Sequence, residues 1–375
     1  MTLLLVMALC ASVVSSSLEE AVSGDVPDAG ACMLQSAKTR RAKSPPSVTL
    51  DFSDPMSWAE NPGAVAGEKE RSILRSENHW IVTVSSHGES MPAKFMAFPS
   101  IFVRAGPAWP GNHFKLLAFK EVARLLEPSA LLLAVDETDV FLLSDPFQVF
   151  QEKVAQEPSM EILFSVERDY GMLSPEWGGF PTGKTREKSV PLSVFPANPM
   201  EEKIGVGRQC QGTACLQSRF PNSGILIGKA AALQSFFEDT WHSCSACKNA
   251  PQTGGDVMSN WPVSDQNIVS DQIIKSNWCG GHCFLDYDFS LGLTNPADGP
   301  EGYALTSDGT LFVTIAGTNI SQPVRASALH FPDMADLAVR QAACKSLRML
   351  KLEWQHEDCQ NLTLLENDFN VQEGV

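Results

Sequence analysis

The sequence predicts an α/β fold, with a mixed, mostly parallel central sheet flanked by helices. Two observations carry this expectation. Short aliphatic and β-branched runs alternate with stretches whose apolar residues recur at helical spacing, a pattern of strand–helix–strand units rather than of a bundle or a sandwich. The most apolar of these runs, "LLLAV" at 131–135, stops abruptly at Asp136, Glu137 and Asp139. Unpaired carboxylates at the tip of a buried strand are costly to desolvate. Open α/β sheets bind ligands beyond the carboxyl ends of their strands, which gives such acids a chemical reason to be there.

The elements follow in order. Residues 1–17, "MTLLLVMALCASVVSSS", hold an apolar stretch too short to span a bilayer comfortably, followed by small residues. They read as a secretory signal peptide, with an uncleaved anchor as the alternative. Residues 18–75 are rich in Ala, Ser, Pro and Glu with a basic cluster at Lys38–Lys43, and read as a low-complexity stem or linker. The folded domain is expected over 76–345, beginning with the strand "HWIVTVSS" at 79–86. "FKLLAFKEVARLLE" at 114–127 places Leu116, Leu117, Val122, Leu125 and Leu126 largely on one helical face. "EILFSVE" at 161–167 is a second strand ending in an acid.

Residues 168–221 form a long Gly/Pro-rich insertion, after which "FPNSGILIGKAAALQSFFEDTW" at 220–241 reads as strand, glycine turn and amphipathic helix. "SDQNIVSDQIIKSN" at 264–277 is a helix with Ser264 as its expected N-cap. "CFLDYDFSLGL", "TLFVTIAG" and "SALHF" are short strands, and 346–375 is a C-terminal tail. There is no internal repeat.

Bulk composition narrows the function. Across 375 residues the hydrophobic content of 43% and charged content of 19% are those of a globular protein, and the formal net charge is −16. The acids are spread along the chain, which argues against a nucleic-acid partner and leaves no basic stripe for anionic membranes. An acidic chain that handles a phosphorylated substrate needs a metal or a few placed cations.

Asp136 and Asp139 could supply that metal site. Two carboxylates three residues apart across a turn can both face one cation, and oxygen ligands suit Mg²⁺ or Mn²⁺. On spacing alone, a solvated turn whose acids cap the next segment competes with this reading. The order of motifs adds to it. "HWIVTVSS", "FKLLAFKEVARLL", "LLLAVDETDVFLLSDP", "EILFSVE", "FPNSGILIGKA", "SDQNIVSDQI", "CFLDYDFSLGLTNP" and "ALHFPD" together resemble the glycosyltransferase domain of the procollagen-lysine hydroxylases and related collagen glycosyltransferases. The likeness spans about residues 79–335.

The resemblance implies a GT-A-type nucleotide-sugar-binding fold, a UDP-sugar donor, manganese (or magnesium), and transfer of glucose or galactose to a hydroxyl acceptor such as hydroxylysine of a collagen-like protein. By position it implies Asp136, Asp139 and His330 as metal ligands. Thr83 and Val84, which close the first strand, would lie at the uridine, and Lys115 near the donor phosphates. Asn222, Ser223 and Gly224 would approach the sugar. Asp265 and Gln266 open a helix at the sugar or acceptor, with Asp265, Glu167 and Asp286 as candidate catalytic acids or bases. Each has a plainer explanation in strand packing, helix capping or solvation. The chain also departs from the family, which has H-x-N-G where this sequence has His330-Phe331-Pro332-Asp333. That departure favours a second reading, a non-catalytic carbohydrate- or nucleotide-binding protein on the same fold.

The cysteines and sequons fit a secretory lumen, endoplasmic reticulum or Golgi, or secretion. Cys10 would leave with the signal. Cys32, Cys210, Cys215, Cys244, Cys247, Cys279, Cys283, Cys344 and Cys359 remain and suit disulfides there. Zinc binding by Cys244, Cys247, Cys279 and Cys283 with His242 and His282 is the alternative. Asn319-Ile320-Ser321 and Asn361-Leu362-Thr363 are acceptor sequons. Lysyl hydroxylation fails on inventory: an Fe(II) triad needs a histidine downstream of its H-x-D, and none follows His356-Glu357-Asp358.

Overall fold

The computed structural model describes residues 44–53, 66–85, 91–105, 113–167, 193, 195–199, 219–244, 247, 265–294, 304–305, 311–314 and 321–331, and 340, 341, 343, 344, 347, 348 and 359. The expected signal peptide, both sequon asparagines, the Ser264 cap and nearly all of the 168–221 insertion lie outside the described residues.

A ten-stranded mixed sheet forms the centre, in the order β1-β3-β2-β4-β7-β6-β9-β13-β5 with β8 attached to β6. The strands are β1 Ser47–Asp51, β2 His79–Ser85, β3 Ser100–Arg104, β4 Leu131–Asp136, β5 Val140–Leu142, β6 Ile162–Glu167, β7 Phe220–Lys229, β8 Cys283–Leu285, β9 Leu293–Thr294 and β13 Ala328–His330. Between the last two, β10 Ala304–Leu305, β11 Leu311–Thr314 and β12 Ser321–Val324 make a separate antiparallel sheet. Most pairings in the large sheet are parallel; β7 runs against β4 and β6, and β5 runs against β13. The predicted α/β class with a mostly parallel sheet is therefore the fold observed.

The helices are α1 Glu68–Leu74, α2 Phe114–Leu125, α3 Pro146–Gln156, α4 Ala230–Ser243 and α5 Asp265–Lys275. Trp80, Val82, Leu132, Ala134 and Leu226 pack with α2 and α4 residues such as Leu117, Phe119 and Phe237. Ile81, Leu133, Val135, Ile225 and Ile227 share a second cluster with Phe147 and Phe150 of α3. Alternate residues of one strand thus enter opposite cores, as period-two geometry requires. Asp145 starts α3: its side chain accepts from Phe147 N at 2.8 Å and Gln148 N at 3.3 Å, with Pro146 next, a cap that contributes about 1 kcal/mol.

The sheet must curl. β4 and β5 are separated only by Glu137, Thr138 and Asp139, yet four strands lie between them in the sheet order. The chain from Asp136 to Val140 reaches at most about 14 Å, whereas five interstrand steps laid flat would need about 24 Å. The far edge therefore turns back toward the carboxyl end of β4.

Three expectations are corrected. Order begins before His79, inside the stretch read as a stem: β1 pairs in parallel with β3, buries Val48 and Leu50, and joins Asp51 to Arg104 at 2.6 Å. "FPNSGILIGK" is one continuous strand with no glycine turn. The zinc alternative gives way to disulfides, Cys244–Cys247 and Cys279–Cys283, with Cys344–Cys359 a third. Cys279 lies in a left-handed stretch in which Asn277, Trp278 and Cys279 have φ of 49°, 58° and 55°, a conformation costing about 1 kcal/mol for each side-chain-bearing residue. No helix among the described residues is long and apolar enough to cross a membrane.

His113, at the start of α2, is buried against Phe114 and Trp241, and its ring nitrogens have no hydrogen-bond partner among the described residues. Burial pushes it down to about 4, against the pull of Asp265. Below its ordinary pKa near 6.5 the unfolded chain takes up a proton that the folded chain refuses, so stability falls as pH drops from about 6.5 toward 4. We expect His113→Phe to remove about 2 kcal/mol of that loss at pH 5, read as a smaller difference in urea midpoint between pH 7.5 and pH 5 than in the wild type.

Candidate metal centre

Strand register assembles the site. β4 ends at Asp136, and Asp139 is the last residue before β5. β5 pairs antiparallel with β13, setting His330 opposite Val140, and Phe331 N–H donates to the Asp139 carbonyl at 2.9 Å. His330 Nε2 consequently lies 3.5 Å from Asp139 Oδ2 and 3.7 Å from Asp136 Oδ2. One ligand atom from each of the three residues lies within 4.8 Å of the others. The three predicted ligands, separated by nearly two hundred residues of sequence, are brought together.

The neighbouring strand leaves room for them. β7 pairs with β4 so that Ile225 faces Val135 and Gly224 comes beside Asp136. A Cβ on Gly224 would stand 2.6 Å from Asp136 Oδ2 and 2.6 Å from His330 Cε1. Only glycine permits this approach of backbone to carboxylate and imidazole. Asn222 holds that stretch in place. Its Oδ1 accepts Gly224 N–H and Ile225 N–H at 2.7 and 3.2 Å, so its Nδ2 is the end that donates to Glu167 Oε2, at 2.6 Å. Ser223 is buried between them in sequence.

Lys115, in the first turn of α2, reaches in from the helical layer. Its Nζ is 2.5 Å from Asp136 Oδ1 and 2.7 Å from Asp265 Oδ2. Asp265 opens α5 and Gln266 follows it. Two helices thus begin beside Asp136, and the positive ends of their dipoles favour negative charge there.

The charges respond to burial and to one another. Burial opposes the Lys115 ammonium, but Asp136 and Asp265 overcome this and raise it above the ordinary lysine range. Burial also raises Asp136 despite Lys115, while the His330 imidazole holds Asp139 below the usual carboxylate range against burial. Burial would push His330 down, and the carboxylates of Asp139, Asp136 and Glu167 outweigh it. Glu167 thereby acts on the site through its charge as well as through Asn222.

The remaining predicted residues fall at different distances from this chemistry. Val84 pairs with Asp136 across β2 and β4 and lies at the site floor; Thr83 pairs with Val135 and belongs to the other face. The Thr83 hydroxyl is buried without a hydrogen-bond partner among the described residues. Asp286 is not brought to the cluster. It accepts from Ser290 Oγ at 2.9 Å and Leu291 N at 2.6 Å, and it lies 3.2 Å from Lys153 Nζ. It organises the 286–292 turn, where burial pushes it up to about 7 against Lys153. Of the three candidate acids or bases, Asp265 and Glu167 lie beside the site, through Lys115 and Asn222, and Asp286 does not.

One residue escaped the sequence reading. Lys94, in the short 3₁₀ turn Ala93–Phe95, is 4% exposed and donates to the Thr138 carbonyl at 3.1 Å, under the acidic turn. Burial pushes it down to about 7, with Asp139, Glu137 and Asp136 pulling the other way. The only sequence signal was a lysine set among Met91, Phe95 and Phe98.

The residues present fit a divalent cation. Two carboxylates and one imidazole converge on one point. Asp139 Oδ1 and His330 Nε2, the ring nitrogen that faces both carboxylates, are buried without hydrogen-bond partners among the described residues, and Gly224 keeps the space clear. A mixed oxygen and nitrogen donor set suits a divalent transition metal better than an all-oxygen cage would.

No protein-family model and no curated protein sequence matches the chain. Solved structures with a partial likeness include mouse xyloside xylosyltransferase 1 in its apo form, at 10% identity and a TM-score of 0.30, covering 68% of this chain and 88% of that one. The galactosyltransferase LgtC with donor and acceptor sugar analogues matches at 11% identity and a TM-score of 0.31, covering 81% and 94%. An active-site mutant of LgtC gives 12% and 0.31, over 79% and 93%. Likenesses this distant assign neither family nor activity. The site speaks through its own residues.

Gly224→Ala should weaken Mn²⁺ binding about tenfold or more in isothermal titration, because its methyl group displaces Asp136 or His330. Gly292→Ala is the control. Gly228→Ala is a second control: its Cβ would stand 2.7 Å from the Glu161 carbonyl oxygen, so it should lower the melting temperature, whereas Gly292→Ala meets only the movable end of Ile225, and both should leave metal affinity unchanged.

Proposed function

We propose that this chain is a metal-dependent glycosyltransferase of GT-A type. It transfers a hexose, glucose or galactose, from a UDP-sugar to a hydroxyl of a protein or glycan acceptor in the secretory pathway. The observation that carries this reading is the meeting of Asp136, Asp139 and His330 at the carboxyl end of β4, on a mostly parallel sheet. That is where such sheets bind nucleotides. The disulfides are compatible with an oxidising lumen.

In this reading Asp136, Asp139 and His330 hold Mn²⁺. When bound, the ion serves as a Lewis acid that neutralises charge developing on the diphosphate leaving group. Lys115 contributes a second positive charge to the same oxygens and is held in place by Asp265. Val84 marks the strand end toward the nucleoside, with Thr83 beneath it on the other face of the sheet. Asn222, Ser223 and Gly224 bring backbone close to the sugar, and Gln266 offers an amide from the start of α5. Asn222 aligns the Glu167 carboxylate, the group we assign to acid–base work on the acceptor hydroxyl. Asp265, paired with Lys115, positions rather than abstracts.

One observation favours the second reading, a non-catalytic nucleotide or carbohydrate binder. Lys115 already places an ammonium 2.5 Å from Asp136, so nucleotide could be retained on fixed charge without turnover. Hydrolysis of a panel of UDP-sugars separates the two. We expect Mn²⁺-dependent turnover of UDP-glucose or UDP-galactose that falls about a hundredfold in a folded Asp139→Asn variant. Binding of UDP without hydrolysis of any nucleotide sugar would support the second reading. Absence of both, in a folded sample, would refute the donor site altogether.

A further inference from the structure

Lys94 presents a physical problem that packing does not answer. An ammonium that is 4% exposed ordinarily requires a carboxylate partner, because an unpaired buried charge is expensive. Among the described residues its hydrogen bond goes instead to a neutral acceptor, the Thr138 carbonyl, at 3.1 Å. Its Nζ stands over two aromatic faces, 4.3 Å from the centroid of Phe141 and 5.1 Å from that of Phe95. A methionine of similar length would fill this apolar space without the desolvation cost.

What distinguishes the position is the peptide it grips. Thr138 is the middle residue of the connection between β4 and β5, and that connection carries Asp136 at one end and Asp139 at the other. The curl of the sheet stretches the same connection between strands that are remote in the sheet order. A turn of this length has few internal restraints, and rotation of its central peptide would swing Asp139 away from His330. Phe141 follows the turn on β5, so the ring and the carbonyl that hold Lys94 move together.

We propose that Lys94 is the positioning residue of the metal centre: its amine fixes the Thr138 peptide, and thereby holds Asp136 and Asp139 facing a single divalent cation. Either protonation state of the amine keeps an N–H for that carbonyl. The inference rests on the metal-site reading above. It makes Lys94 part of the ligand scaffold, reaching the ion only through the turn.

The test uses the full chain with Mn²⁺ alone as probe, comparing wild type, Lys94→Met and Lys153→Met. The last removes the lysine paired with the buried Asp286 carboxylate, and controls for general loss of stability. Titration calorimetry and the paramagnetic resonance spectrum of bound Mn²⁺ report the site. Amide hydrogen exchange over residues 136–142 reports the turn. Lys94→Met should remain folded, bind Mn²⁺ about tenfold or more weakly with an altered resonance spectrum, and exchange faster in that segment. Lys153→Met should change neither the spectrum nor the affinity. Unchanged or tighter Mn²⁺ binding by folded Lys94→Met would overturn the positioning role. Should that variant fail to fold, Lys94→Leu, which also lacks the N–H donor, carries the same expectations. Failure of the wild type to bind Mn²⁺ would instead sink the metal-site reading itself.

Discussion

Buried like charges need compensation, and that requirement organises the site. Asp136 and Asp139 share a largely water-excluded corner, where their mutual repulsion would drive one of them to take up a proton. Lys115 answers one carboxylate and His330 the other. Each counter-charge comes from a different layer, Lys115 from the helices above the sheet and His330 from a strand far along its path. The helix starts, the curl of the sheet and the glycine in β7 are all conditions for these groups to meet. A bound dication would complete a balance that the protein has already half built.

Much of this was legible in the sequence because it leaves local marks. The apolar run ending at Asp136 identified both the strand and the acids beyond it. Helical spacing identified α2, and with it the place of Lys115. "NSG" marked a close backbone approach, though it was read as a turn. The glycine is needed because Asp136 and His330 press on the strand from the side, a cause that lies elsewhere in the chain. Local sequence could announce that a glycine was required at Gly224 without saying what required it.

The unread features all depend on distant partners. β1 is five residues long in a Pro- and Ser-rich region, and only pairing with β3 makes it a strand. Asp286 looked like a free acid at a strand end until Lys153 and the amides of the following turn claimed it. Lys94 sits on a turn too short to show periodicity, in a segment where a lysine is usually solvated. Its burial follows from β5 folding back over it. Such burial is a property of topology, and composition carries no trace of it.

The single long antiparallel strand has an effect of its own. β6 ends at Glu167 and β7, running the other way, begins at Phe220; the two residues are paired there as neighbours. The chain between these two residues therefore departs from and returns to one zipped base. Closing a longer loop across a base already joined adds little entropy cost. Within that segment, however, Phe195 is buried against Phe220 and Trp278, and Asn198 donates to the Tyr287 carbonyl at 3.1 Å, so the connection is stapled to the same core as the strands it joins.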